Sequence, residues 1–425
     1  MDNRLVVDSR EELMFLLCEA SELEHMLMCE YLFAAFSLKQ RLDEDLTPEQ
    51  LDAVRRWERV VTGVAVQEML HLAQASNLMT AIGGLPHLRH PNFPQRAKYY
   101  PPSVQLALMP FGEHALQHFV YLERPEGLET TDAPEFDIIG TDFDSPTGTE
   151  IVPVPQSFTT VGQLYRSIEQ GLRTLVARYG ERGVFIGPPK AQASGDVFRW
   201  PELVVVTDLA SAERAIEMVV EQGEGARGSW EDAHYGRFLR TLRELRELKQ
   251  RDPAFDPARP VLPAYVRAPS DVERFDLLSD QRTAAVCDLF NGSYEALLEM
   301  LLRFFLHVRD SDDELRELAD TGVGMMFSLI APLGHLLTTL PVGPSAPGRT
   351  AGPNFEIYRR SYLLPHHDAA WAIIREKLAE LAGACQRTAE LFTAPEVGAA
   401  HATLATTEQQ LRALVESLTK QVIRV

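Results

Sequence analysis

Apolar residues recur every three or four positions through Leu13, Leu17, Ala20, Leu27, Met28, Tyr31, Ala35 and Leu38, the spacing that keeps side chains on one face of a helix. A helix over about 9–39 follows, with Ser9 as its cap and acids in its first turn. One residue breaks the stripe, Glu24. A second stripe runs Val61, Val64, Ala65, Glu68, His71, Leu72, Ala75, Met79 and Ile82. It predicts a helix that starts at Thr47-Pro48, stops at Gly83-Gly84 before Pro86, and pairs antiparallel with the first. Again the apolar face carries polar residues, Glu68 and His71.

From Pro86 to about 205 the pattern dissolves into Pro, Gly, Asp and aromatic residues. This predicts an irregular insertion with some short strands and one helix near 160–179. An excursion of that length shapes a pocket or an interface. The segments PFGEHALQHF and GVFIGPPKAQ are expected to form a lid, with Lys190 or Arg96 meeting a carboxylate substrate. Helical periodicity returns in DLASAERAIEMVVEQGEG, breaks over ARGS and resumes in WEDAHYGRFLRTLRELRELKQ. Beyond a proline-rich bridge, further helices are expected at about 279–309, 312–340, 368–392 and 406–423. The chain thus reads as mainly α: a bundle over 9–250 interrupted by an insertion at 86–205, a bridge at 251–278 and a C-terminal helical region at 279–425.

A net charge of −20 over 425 residues would repel phosphate backbones and anionic lipid, which argues against nucleic-acid and membrane partners. The N-terminus lacks the basic start and apolar core of a secretory signal, and no apolar run approaches the ~18 residues of a membrane span. A cytoplasmic location is the expectation. Cys18, Cys29, Cys287 and Cys385 are scattered without a CxxC spacing, so each is expected to be a small core residue. Any metal would then fall to Glu, Asp and His.

Positions i and i+3 share a helix face, so Glu68 and His71 can reach one ion. One Glu-x-x-His is weak evidence, because a buried histidine is as often satisfied by an acid beside it. A second copy, Glu231-Asp232-Ala233-His234, aligns with apolar Tyr235, Phe238, Leu242 and Leu245. Two such pairs plus one glutamate from each of two other helices make the di-iron or di-manganese carboxylate arrangement. Glu24 supplies the first lone acid. Either Glu221 or Glu224, both just before the ARGS break, supplies the second; the apolar face Ala212, Ile216, Val219, Val220 and Gly223 lies nearer Glu224. Four buried carboxylates and two imidazoles would cost many kcal/mol without a cation. Two divalent ions would balance them, and oxygen-rich ligation with imidazole suits iron or manganese. Tyr31 is a candidate catalytic residue that hydrogen-bonds a ligand carboxylate or relays an electron, against the plainer reading of a core tyrosine. Glu22, Glu30, Glu213 and Glu217 read as surface or supporting groups and His25 as supporting or exposed. His366 and His367 read as helix caps, and His335 as packing.

The stretches EASELEHMLMCEYLFAAFSLK, VAVQEMLHLAQASNLMTAIGGLPHLRHPNFP, VEQGEG, EDAHYGRF and TAGPNFE resemble the ferritin-like family of iminophenyl-pyruvate dimer synthase, found in violacein and indolocarbazole pathways. More distantly, Glu24 with Tyr31 seven residues on, and EMLH followed by GGLPHL, resemble the first two helices of bacterioferritin, which favours Glu24 over Glu22 or Glu30. The resemblance implies a ferritin-like four-helix bundle and an oxidative role in secondary metabolism. The function expected is a non-haem di-iron oxidase or oxygenase that uses two iron ions, or manganese, with dioxygen or peroxide on a small amino-acid-derived metabolite. Its partners would be that substrate, dioxygen and possible copies of itself. Iron handling without an organic substrate and a metal-free pathway scaffold are the alternatives.

Overall fold

In the computed structural model the chain forms two compact units, Met1–Ala258 and Arg259–Val425. The structure describes residues 5–422 except 96–98, 137–142, 144–145, 147–150, 227–228, 269–274, 359–361 and 393–397; Arg96, one of the expected lid residues, lies outside the described residues.

The first unit is built on α1 (Arg10–Ser37) and α2 (Pro48–Ala81), which pack along each other. Capping boxes start both, Ser9 with Glu12 and Thr47 with Gln50, so the first free amides of each helix are satisfied locally. Gly83, at φ +88°, ends α2 in the left-handed conformation that a side chain disfavours. From Glu19 to Ser37 every residue of α1 is buried, as expected of a helix enclosed on all sides. That enclosure includes Glu22 and Glu30, which the sequence suggested were at the surface or in supporting roles. Glu22 accepts from the Tyr99 and Tyr100 hydroxyls and pairs with His87, and Glu30 accepts from the Ala107 amide.

Four further helices complete this unit. They are α3 (Glu113–Leu122), α4 (Val161–Tyr179), α7 (Leu209–Gly223) and α8 (His234–Arg251), with the single turns α5 (Glu181–Val184) and α6 (Gly195–Phe198) between α4 and α7. α4 packs on α1 and α7, α3 packs on α8, and both α7 and α8 pack on α2. α3 forms where the sequence pattern predicts irregular chain. Its buried Ala115, Leu116, Phe119, Val120 and Leu122 have helical spacing, but its N-cap, Gly112, makes no side-chain bond and proline-rich chain precedes it. PFGEHALQHF is therefore part of the bundle wall rather than a lid. Lys190 is exposed. The short strands expected in the insertion do not form among its described residues.

The second unit holds α9 (Gln281–Phe305), α10 (Asp312–Met325), α11 (Ala331–Leu337), α12 (His367–Ala389) and α13 (Gly398–Val422). α10 continues into α11 through a wider π turn at Met326–Ile330. Pro332 explains the widening, because it has no N–H for the carbonyl one turn back. Two short parallel strand pairs lie here, β1 (Val261–Leu262) with β4 (Thr350–Ala351) and β2 (Ala264–Tyr265) with β3 (Asp276–Leu277). No described helix in either unit is long and apolar enough to cross a membrane.

Candidate metal centre

Five buried donors converge inside the first unit. Glu24 comes from α1, Glu68 and His71 from consecutive turns of α2, Glu123 from the residue capping the end of α3, and His234 from the first position of α8. They form two triads, Glu24–Glu68–His71 and Glu68–Glu123–His234, with Glu68 common to both. Glu68 Oε2 lies 2.9 Å from His71 Nδ1 and its Oε1 lies 2.9 Å from His234 Nδ1. Glu24 Oε2 stands 3.4 Å from His71 Nδ1, and Glu123 Oε1 stands 3.5 Å from His234 Nδ1. The two imidazoles face each other with centroids 5.4 Å apart.

Each imidazole is held from behind. His71 Nε2 meets Gln222 Oε1 of α7 at 3.0 Å, and His234 Nε2 meets Gln67 Oε1 at 3.3 Å. An amide oxygen can only accept, so each ring has a proton on Nε2 and turns Nδ1 inward, toward the carboxylates. Gln67 is itself anchored by Arg237. Tyr31 donates to Glu123 Oε1 at 2.5 Å and sits among Phe119 and Phe238. The Tyr165 hydroxyl of α4 is buried, and burial together with the Glu24 charge pushes its pKa well up.

These residues fit a pair of cations. Bonds of about 2.1 Å meeting at about 90–110° put neighbouring donors roughly 3.0–3.4 Å apart, within about 0.1 Å of the separations of 2.9–3.5 Å above. Glu24 Oε1, Glu68 Oε1 and His234 Nδ1 are buried without a hydrogen bond, the last two although they are within 2.9 Å of each other. Atoms that approach so closely without hydrogen-bond alignment are arranged as co-ligands are. Electrostatics agrees. Burial raises Glu24 to about 7 despite its contact with His71. Burial acts upward most strongly at Glu68 and Glu123, yet His234, together with His71 at Glu68 and the Tyr31 hydrogen bond at Glu123, outweighs it, and both fall below the ordinary value. Burial alone would lower both histidines, yet Glu68 with Glu24 carries His71 well up, and Glu68 with Glu123 carries His234 to about 9. Left to itself the cluster binds protons where a divalent ion would take their place.

Glu24, Glu68, His71 and His234 are thus brought together, with Tyr31 against them. The other expected ligands are not. Glu231 is exposed in the turn before α8, where its carbonyl accepts from Arg240. Gly236 allows that turn, since a Cβ there would meet the Trp230 carbonyl oxygen at 2.0 Å. Glu221 is exposed. Glu224 is buried but turned away, with its oxygens on the amides of Gly162 at 3.1 Å and Glu126 at 3.2 Å. Gly162 leaves room for that carboxylate against the first turn of α4. The α7 residue that faces the centre is Gln222, between the two acids. Glu123 was missed, and its signal was the stripe of the unrecognised α3. A cleft of about 790 Å³ beside these turns is lined by Glu126, Glu169, Glu213, Glu217, Glu221 and Glu224 against Arg166 and Arg173. Both arginines are already paired with acids of that lining, so the cleft favours a cation over an anion.

A family model described as Ferritin-like matches residues 17–243, a span that contains all five donors. Dichlorochromopyrrolate synthase of Lentzea aerocolonigenes is 28% identical over 414 residues, which cover 88% of this chain and 39% of that protein. The 2-imino-3-(indol-3-yl)propanoate dimerase of Chromobacterium violaceum is 28% identical over 376 residues, 82% of this chain and 34% of that protein. The chain therefore spans less than half the length of either relative. A solved ferritin like protein from Caulobacter vibrioides is 18% identical, with a TM-score of 0.44 over 70% of this chain and 87% of that one.

Proposed function

The chain belongs to the ferritin-like family, and from that premise we propose that it is a non-haem di-iron oxidoreductase that uses dioxygen or peroxide on a small amino-acid-derived metabolite of secondary metabolism. Glu24 and His71 would hold one iron ion, or manganese in its place, Glu123 and His234 the other, and Glu68 both. The metal pair supplies redox equivalents that none of these side chains has. The observation that carries the reading is Glu68, one carboxylate whose two oxygens each face a different, oriented imidazole.

The chain's own residues do the rest. Gln222 and Gln67 keep each Nδ1 lone pair directed inward. Tyr31 fixes Glu123 and keeps a proton at its Oε1, because burial and the neighbouring acids hold the phenol pKa far up. Phe119 and Phe238 around Tyr31 exclude water from that side. Three carboxylates leave two divalent ions with one uncancelled positive charge, which suits a substrate bearing a carboxylate. One relative is named for 2-imino-3-(indol-3-yl)propanoate, so 2-imino-3-arylpropanoates are the first class to offer. The acid-lined cleft suits the approach of metal ions rather than of such an anion.

The test is turnover of an imine generated in situ from tryptophan or phenylalanine, followed by oxygen consumption and product mass. Chelation is expected to abolish turnover, and Fe(II), unlike Zn(II), to restore it at two equivalents per chain. Undiminished turnover in metal-free protein overturns the reading.

A further inference from the structure

A second group of metal-binding side chains lies on the neighbouring face of α1. His25 and Cys29 are one helical turn apart, and His90 reaches them from the segment that follows α2. One donor atom from each lies within 4.8 Å of the other two, and all three residues are buried, at 1%, 0% and 6% exposure. The imidazoles of His25 and His90 meet edge to face with centroids 4.6 Å apart. His90 Nδ1 donates to the Pro91 carbonyl at 2.7 Å, which places the Nε2 lone pair as the ring's donor.

We propose that His25, Cys29 and His90 bind one thiophilic metal ion, zinc or cuprous copper, separate from the carboxylate centre. The donor set decides the class. A thiolate with two imidazoles and no carboxylate is soft, and it selects Zn(II) or Cu(I) over the iron that the oxygen-rich centre prefers. Cys29 is the buried core residue that the sequence led one to expect; the proposal adds a ligand role to it, which no short spacing announces because His90 is 61 positions away. Its role would be to fasten the irregular chain after α2 to α1, where Leu88 and Phe93 are buried but regular secondary structure is lacking. The Asp310–Glu314–His367 group of the second unit is different: the buried Arg303 guanidinium already neutralises Asp310, and Glu314 is bound by His367.

The experiment uses the full chain, stripped of metal and then loaded with Co(II) as a probe. Thiolate ligation gives a near-ultraviolet charge-transfer band. The wild type is expected to show that band and to bind one equivalent of Zn(II) or Cu(I), whereas Cys29→Ala loses the band and that equivalent while a separate stripped sample takes up as much Fe(II) as the wild type. A preference for Cu(I) supports three-coordination by these residues alone; a preference for Zn(II) supports a fourth ligand from water. If Cys29→Ala does not fold, His90→Gln gives the same reading through loss of the equivalent. A wild-type protein without the band, or a folded Cys29→Ala protein that retains it, overturns the proposal, and because iron is counted separately neither result bears on the dinuclear reading.

Discussion

The same four-residue pattern occurs twice in this chain and folds in two ways. At Glu68–His71 it lies deep within α2, so a spacing of three returns both side chains to one face and both enter the centre. At Glu231–His234 the helix starts only at the histidine. The acid is left in an extended turn, where a spacing of three defines no face, and it points to solvent. Its place beside His234 is taken by Glu123, 111 residues earlier in the chain, at the end of α3. The lesson is that a ligand motif carries geometric information only where the helix is already continuous across it.

The comparison breaks most severely at the residue both triads share. Glu68→Ala should remove both metals and reduce turnover below detection. It also strips the buried imidazoles of their common counter-charge, a loss of about 3–5 kcal/mol expected of broken buried pairs. Metal analysis and chemical denaturation of the metal-free protein check both parts. Retention of two metals would mean that Glu68 is not the bridge. Next in size, Glu123→Gln should halve the metal content and leave the Glu24–Glu68–His71 triad loaded. Two equivalents in that variant would return the missing ligand to a residue outside the cluster.

How much of this was legible beforehand follows from where order is local. α1 and α2 carry their own caps, stripes and stop signals, so Glu24, Glu68 and His71 could be placed on faces from sequence. α7 was equally legible as a helix, yet the residue it turns inward was not. Gln222 lies between two acids in the last turn of the helix, and charge drew attention to Glu221 and Glu224, of which one is solvated and the other clamps backbone amides. α3 was lost because it has ten residues and no side-chain cap, too short for periodicity to stand out from proline-rich chain. The His25–Cys29–His90 group was invisible for another reason: only tertiary packing brings His90 to α1.

Smaller effects sharpen the account of what orients the donors. Gln222→Leu keeps the size of the side chain but removes the acceptor behind His71, and should weaken metal binding about 10–100-fold, as loss of such supporting contacts does. Competition with a calibrated chelator measures it, and unchanged affinity would show that the ring needs no orienting. Tyr31→Phe removes one bond to a charged carboxylate, about 1.5–3 kcal/mol. It should keep both metals while turnover falls at least about tenfold; loss of metal instead would make Tyr31 structural.

The smallest expected effect is the one that isolates the comparison. Glu231→Gln changes the acid of the second pattern without altering its length or polarity, at an exposed position whose main-chain carbonyl, not its carboxylate, bonds Arg240. Stability should move by no more than about 0.5 kcal/mol, as for ordinary surface changes, and metal content and turnover should match the wild type. Set beside Glu123→Gln, it asks which of two glutamates accompanies His234. A substitution that spared Glu123's effect and reproduced it at Glu231 would require the start of α8 to unwind and rewind one turn earlier, against the turn that Gly236 permits. A null result at Glu231 with a halved metal content at Glu123 is what the observed start of α8 at His234 demands.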